Sequence, residues 1–374
     1  MKRGALALVG AILVTASPAL AADWPLISGT EDGRPERAVQ PFGVVQTTTD
    51  VSVDGEAPTT FQVRRARPGL RGSIPGTNRR VGYILLGELG TSGIGRKGPA
   101  LVDASLTFSY VPGARIRVGQ MKLPTLDEGE ESNPVAAEWI TPSLVASQVV
   151  TENVVEKGAF VGGANGYRDV GVKVFDGWQW GHAAVSYEAM VGNGRPNAIE
   201  ADRPKDLAGR STFTWVFSGA RSDPHRQELS LFAWAQGGDR TVDGARTTRL
   251  RSGAGAHLEL DPLRIRVEVV RGTGAIFLGP DASLPGKPLQ VALHGEALGG
   301  YAQARFRILA PLLAGVRGEV LHLDSGTKTK TTRGLSPMVE VDLARTVRLQ
   351  TTWASLWTDG TRDDRIAVQA EAWF

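Results

Sequence analysis

Leu263-Arg264-Ile265-Arg266-Val267-Glu268-Val269 follows directly on Asp261-Pro262, and its side chains alternate between apolar and charged. A helix would gather its apolar groups at spacings of three and four. A strand instead sends Ile265, Val267 and Val269 to one face and Arg264, Arg266 and Glu268 to the other. The preceding segment repeats the pattern, with Leu250, Ala254, Ala256, Leu258 and Leu260 set against Arg249, Arg251, His257 and Glu259. So does the C-terminus, with Ile366, Val368, Ala370, Ala372 and Phe374 against Arg365, Gln369, Glu371 and Trp373. These runs are long. Strands of soluble proteins average about five or six residues, whereas a tilted strand crossing a bilayer takes about 9–11.

Working outward, the same reading predicts strands at 38–50, 59–72, 79–91, 100–111, 113–122, 168–178, 181–191 and 206–218. It continues with 226–237, 246–260, 263–273, 292–308, 311–322, 333–344, 345–358 and 364–374. The count is sixteen, and single-chain bacterial membrane barrels have even strand numbers. The expected fold is therefore all-β, a sixteen-stranded antiparallel transmembrane barrel over 38–374. With the first strand running outward, the even connections are tight: Val111-Pro112-Gly113, Asp261-Pro262, Leu309-Ala310-Pro311 and Ala344-Arg345-Thr346. The odd ones, 192–205, 238–245, 274–291 and 323–332, read as longer and polar, as on the outer side of such barrels. The longest connection, about 123–167, is placed inside the lumen as a constriction loop. In the twelfth segment the alternation changes phase between Leu298 and Ala302, implying a bulge or a misplaced boundary.

The rest of the chain agrees with export to a membrane. Lys2 and Arg3, an apolar run from Ala5 to Val14, Ser17-Pro18 and Ala19-Leu20-Ala21 form a signal-peptide pattern over 1–21. Residues 22–37 read as a short periplasmic lead-in. Past Ala21 no run of 18 apolar residues occurs, so a helical membrane protein is excluded. Of nine Trp, Trp178 and Trp180 sit at a turn and Trp353 and Trp357 late in a strand, as interfacial aromatics do. The 374 residues include no Cys, which excludes disulfides and thiolate chemistry, and a net charge of only +3 gives no case for nucleic acid. The expected location is the bacterial outer membrane, with its lipid and the barrel assembly machinery as partners. Phe374, last in an alternating strand, is the expected assembly signal.

Several chemical patterns fail on context. Gly93-Ile94-Gly95-Arg96-Lys97-Gly98 fits a dinucleotide fingerprint but lies in an expected loop with no helix after it. His182, His225, His257, His294 and His322 show no metal-ligand spacing, and no Ser, His and acidic set gathers at one rim. No enzyme activity, metal or cofactor is expected.

Phe61-Gln62-Val63-Arg64-Arg65-Ala66-Arg67 with Gly69-Leu70-Arg71-Gly72 resembles an early strand of the phosphate-selective porins O and P. Asp103-Ala104 and then Arg115-Ile116-Arg117-Val118-Gly119-Gln120-Met121-Lys122-Leu123-Pro124 are similar to their next hairpin and its run into the constriction loop. Glu138-Trp139-Ile140, Arg168-Asp169-Val170-Gly171-Val172 and Asp206-Leu207-Ala208-Gly209-Arg210 resemble later marks. The patches span roughly 60–210. The resemblance implies a homotrimeric, sixteen-stranded porin passing small anions such as phosphate.

The chain departs from that family in its constriction loop. The family carries Lys there, whereas this loop opens Asp127-Glu128-Gly129-Glu130-Glu131 and adds Glu138, Glu152 and Glu156, with Lys122 and Lys157 as its cations. Acids lining a pore favour cations, and Arg and Lys favour anions. The candidate pore-lining cations are Arg64, Arg65, Arg67, Arg117, Lys122, Arg249, Arg251, Arg264 and Arg266. They either meet the permeating anion or pair with lumen acids such as Glu259, Glu268, Glu319 and Glu340. Two functions are in contention: a diffusion porin, and a barrel that sheathes a partner such as an electron-transfer conduit.

Overall fold

The computed structural model describes residues 37–53, 59–90, 99–130, 138–151, 155–156, 159–160, 167–194, 205–219, 226–242, 244–279 and 290–374. The expected signal peptide, most of the lead-in, the 93–98 glycine pattern, Glu131, Glu152 and Lys157 lie outside the described residues.

Alternation along the chain leaves each segment one apolar and one polar face, and closing the sheet satisfies both faces and every edge. The barrel strands are β1 (Gln40–Ser52), β2 (Thr60–Ser73), β3 (Val81–Glu88), β4 (Ala100–Val111), β5 (Ala114–Lys122), β6 (Arg168–Trp180), β7 (Ala183–Gly192) and β8 (Asp206–Ser218). The second half comprises β9 (Gln227–Val242), β10 (Ala245–Glu259), β11 (Leu263–Thr273), β12 (Glu296–Leu309), β13 (Leu312–Asp324), β14 (Thr329–Ala344), β15 (Val347–Thr358) and β16 (Thr361–Trp373). Each pairs antiparallel with its sequence neighbour, and β1 closes on β16 from Val44↔Trp373 to Ser52↔Arg365. All sixteen expected segments are strands of one closed barrel.

Facing follows the alternation. On β11, Val267 and Val269 are exposed on the outer wall while Arg266 and Glu268 are buried on the inner one. Leu231, Leu250, Leu298, Val316, Leu335, Leu349 and Val368 continue the outer apolar band around the wall. Trp178, Trp180, Trp353 and Trp357 also face outward. Among the described residues no helix is long and apolar enough to cross a membrane.

Three details differ from expectation. β12 starts at Glu296 and alternates without a break: Ala297, Gly299, Tyr301, Gln303 and Arg305 turn inward, Leu298, Ala302 and Phe306 outward. The apparent phase change came from a misplaced boundary. Residues 290–292 belong to a separate hairpin with 276–279, and a side chain at the inward Gly299 would meet the Val320 carbonyl, Leu321 and Val145 of the loop after β5. Two connections expected to be long are tight, because β9 and β10 run on to Val242 and Ala245, and β13 and β14 to Asp324 and Thr329. Above the apolar band, outward polar groups such as Asp239 and Thr248 no longer cost lipid contact, so the ladder continues. Finally, β2 carries a bulge: Gln46 faces Arg65 but Thr47 faces Val63, which leaves Arg64 as the extra residue. That single insertion lets Arg65 and Arg67 both turn inward while Phe61 and Val63 face out.

Candidate functional site

The candidate site is the lumen where the loop after β5 folds back against the wall. Residues 127–130 form one short helical turn and Val145–Val150 a π-helical one. Leu126, Leu144, Val145, Ala146, Val149 and Val150 are buried against Phe232, Trp234, Val270, Ala297, Tyr301, Leu321 and Leu323 of the wall and Ile276 of the 276–279 hairpin. Each fully buried aliphatic side chain contributes roughly 1.5–3 kcal/mol. The loop is thus cemented to β9, β11, β12 and β13.

Its described acids, Asp127, Glu128 and Glu138, are spent on the same wall. Asp127 accepts from Arg210 at 2.7 Å and lies 3.6 Å from both His257 and Arg266, while its backbone N–H donates to Glu268 at 3.2 Å. Glu268 also accepts from Trp234 Nε1 at 2.7 Å and the Tyr301 hydroxyl at 3.0 Å. Glu128 accepts from the Ser143 hydroxyl and N–H at 2.5 and 3.0 Å and pairs with Arg317 at 3.3 Å. Arg317 donates further to the carbonyls of Thr141 and Pro142. Glu138 accepts from Gln303 at 2.6 Å and sits 3.4 Å from Arg305 and 3.6 Å from Arg266. The side chain of Glu130 lies outside the described residues.

Burial and charge act in opposite senses on two neighbouring loop carboxyls. Burial pushes Asp127 up, but the His257 contact and the Arg210 and Arg266 guanidiniums hold it well below the usual carboxylate range. For Glu128 burial outweighs Arg317 and Ser143, and the carboxyl is raised. Stability linked to Asp127 is therefore present from the ordinary carboxylate range upward, and that linked to Glu128 falls as pH rises through its raised range.

The nine candidate cations fall into separate groups. Arg249 and Arg251 are buried and donate to the Val150 and Val149 carbonyls at 2.7 and 2.6 Å, and Arg251 reaches the carbonyls of Thr273, Gly274 and Ala275 as well. They cap the π-helical turn. Arg266 is on the loop-facing wall, bridging Asp127, Glu138 and Glu259. Arg264, at the rim, pairs with Glu259 at 2.8 Å. Across the lumen stand the others. Arg67 pairs with the fully buried Glu88 at 2.7 Å, Arg65 donates to Gln46 at 2.6 Å, and Arg64 is half-buried at the bulge. Lys122 faces Arg168 in register, and Arg168 pairs with Asp103 at 3.1 Å. Arg117 donates to Thr107 at 2.9 Å and, with Arg115, stacks on Phe175.

The wall arginines that matter most to the loop, Arg210 and Arg317, escaped the sequence reading. Both were findable by alternation: Arg317 sits between outward Val316 and inward Glu319 in Val316-Arg317-Gly318-Glu319-Val320, and Arg210 shares its face with Ala208. What alternation cannot give is the partner across the lumen.

No protein-family model matches the sequence, and no curated protein does. Solved structures do match. An anion-selective porin from Comamonas acidovorans is similar with a TM-score of 0.63 and 13% identity, covering 90% of this chain and 99% of that chain. OmpF of Salmonella typhi, solved with daunomycin, gives 0.63 and 12%, covering 92% and 98%. A loop-deletion mutant of OmpT, an outer membrane protein of Vibrio cholerae, gives 0.59 and 9%, covering 90% and 99%. Identities this low carry the fold and nothing finer, and on that ground this chain has the sixteen-stranded barrel fold of the outer-membrane porins.

Proposed function

We propose that the protein is an outer-membrane porin through which small solutes diffuse passively, with moderate preference for anions such as phosphate and no tight phosphate site. The observation that carries the preference is the distribution of charge. The described acids of the constriction loop are taken up by Arg210, Arg266, Arg305 and Arg317. On the opposite wall Arg65, Arg67, Lys122 and Arg168 share the carboxylates of Glu88 and Asp103. A guanidinium keeps its charge at any physiological pH and offers several donors to an oxyanion. The tests are conductance and reversal potential in a planar bilayer. In KCl the purified protein should give stepwise currents, and in a salt gradient the potential should take the sign of anion preference. Arg65→Gln with Lys122→Gln should move it toward cations. A cation-selective wild type would refute the preference, and Glu130→Gln with Glu131→Gln should then move it toward anions. A protein that inserts and does not conduct would favour the sheath.

In this reading residues 1–21 are removed on export, three copies assemble, and the end of the barrel at Phe374 faces the periplasm. Phe374 extends the ladder, exchanging backbone hydrogen bonds with Gly43 while its ring lies on the outer wall over that glycine. Phe374→Ser should lower the amount of protein in the outer-membrane fraction with unchanged conductance per channel. Wild-type levels in that fraction would make Phe374 incidental.

A further inference from the structure

The wall at the Phe374 end of the lumen holds an open cleft between the ends of β9 to β13. Its charged lining is Arg226, Glu259, Asp261, Arg264, Arg305 and Arg307, and Leu260, Pro262 and Leu313 form an apolar part. Most of these charges are already matched. Arg226 pairs with Glu228, Arg264 and Arg266 with Glu259, and Arg305 with Glu138 and Glu340. Two are not. Among the described residues, no hydrogen bond or ion pair engages the side chains of Arg307 and Asp261, and Asp342 acts on Arg307 only through its field, while the Arg307 backbone N–H donates to the Pro262 carbonyl at 3.0 Å. Arg307 is half-buried on the inward face of β12, and Asp261 is exposed at the β10–β11 turn.

We propose that this cleft binds a small zwitterion, an amino acid with an apolar side chain. Its carboxylate meets the Arg307 guanidinium, its ammonium meets Asp261, and its side chain lies along Leu260, Pro262 and Leu313. A simple anion would satisfy Arg307 and confront Asp261 and Glu259 with like charge, and a simple cation would do the reverse. A neutral molecule carrying both charges satisfies both ends, and charge-assisted hydrogen bonds are the strong ones. The site extends the proposed solute range beyond anions and rests on the porin reading only for how the ligand arrives.

The test is equilibrium dialysis of radiolabelled L-leucine against the full barrel in detergent micelles. Isocaproate, with the carboxylate alone, and isoamylamine, with the ammonium alone, serve as competitors. Leucine should bind saturably, one per chain, with Kd on the order of 1 mM. Each half-analogue should compete at least about tenfold more weakly, the loss of one charged hydrogen bond. Arg307→Gln should weaken leucine and isocaproate and spare the amine, and Asp261→Asn should weaken leucine and the amine and spare isocaproate. No saturable leucine binding, isocaproate competing as well as leucine, or an Asp261→Asn protein that binds leucine normally would each overturn the proposal. Conductance in KCl is measured on the same preparations, so failure of the porin reading and failure of the cleft are scored separately.

Discussion

Val267→Arg should nearly abolish recovery of folded barrel. Val267 stands outward in the middle of β11, and its ladder partners are Ala256 and Ala302, which offer an arginine no acid on that face. Arginine facing lipid at the midplane costs about 2–4 kcal/mol, roughly 30- to 700-fold in the folding equilibrium. The neighbouring Arg266→Val acts in the lumen instead. It removes a partner from Asp127, Glu138 and Glu259, but Asp127 keeps Arg210, Glu138 keeps Arg305 and Glu259 keeps Arg264. Its folding yield should stay near that of the wild type. Refolding into lipid vesicles, read by the heat-dependent gel mobility of intact barrels, compares the two. Equal yields would mean that the faces of β11 are assigned the wrong way round.

Arg317→Met should release the loop after β5. Arg317 is 1% exposed and holds Glu128, Glu319 and the carbonyls of Thr141 and Pro142 at once. Removing one partner of a buried pair costs about 3–5 kcal/mol, because the other charge stays behind unpaired. The expected result is a barrel that still assembles but carries larger, noisier single-channel currents. Adding Glu128→Gln removes one stranded charge while Glu319 keeps the Leu144 N–H at 2.6 Å, so the double variant should recover much of the quiet wild-type trace. Wild-type noise in the single variant would show that the loop is held elsewhere.

The barrel was legible because period-two alternation is a local property, carried by each segment alone. Ile265 to Val269 declare their faces without reference to any other strand. Boundaries were less legible where the lipid no longer imposes apolar side chains, as at Asp239–Val242. The bulge at Arg64 was hidden because Arg64-Arg65 reads equally well in either phase, and only the register against Gln46 and Thr47 settles it. The site was half legible. The sequence put Arg249, Arg251 and Arg266 on the inner wall and Asp127, Glu128 and Glu138 in the loop, yet nothing local pairs Asp127 with Arg210 or Glu128 with Arg317. Those contacts span 83 and 189 residues and exist only once the sheet has closed.

The depth at which the loop is fastened sets how the pore responds to ionic strength. Mobile ions screen charges that they can approach, over about 10 Å at 0.1 M, and act far less on buried pairs. Asp127 and Arg210 are each 3% exposed at the side chain, and Glu138 and Arg305 are 4% and 6%. Salt therefore reaches the permeating ion without reaching the fastening of the loop. The part of the loop that these pairs hold keeps its seat in dilute and in concentrated media alike.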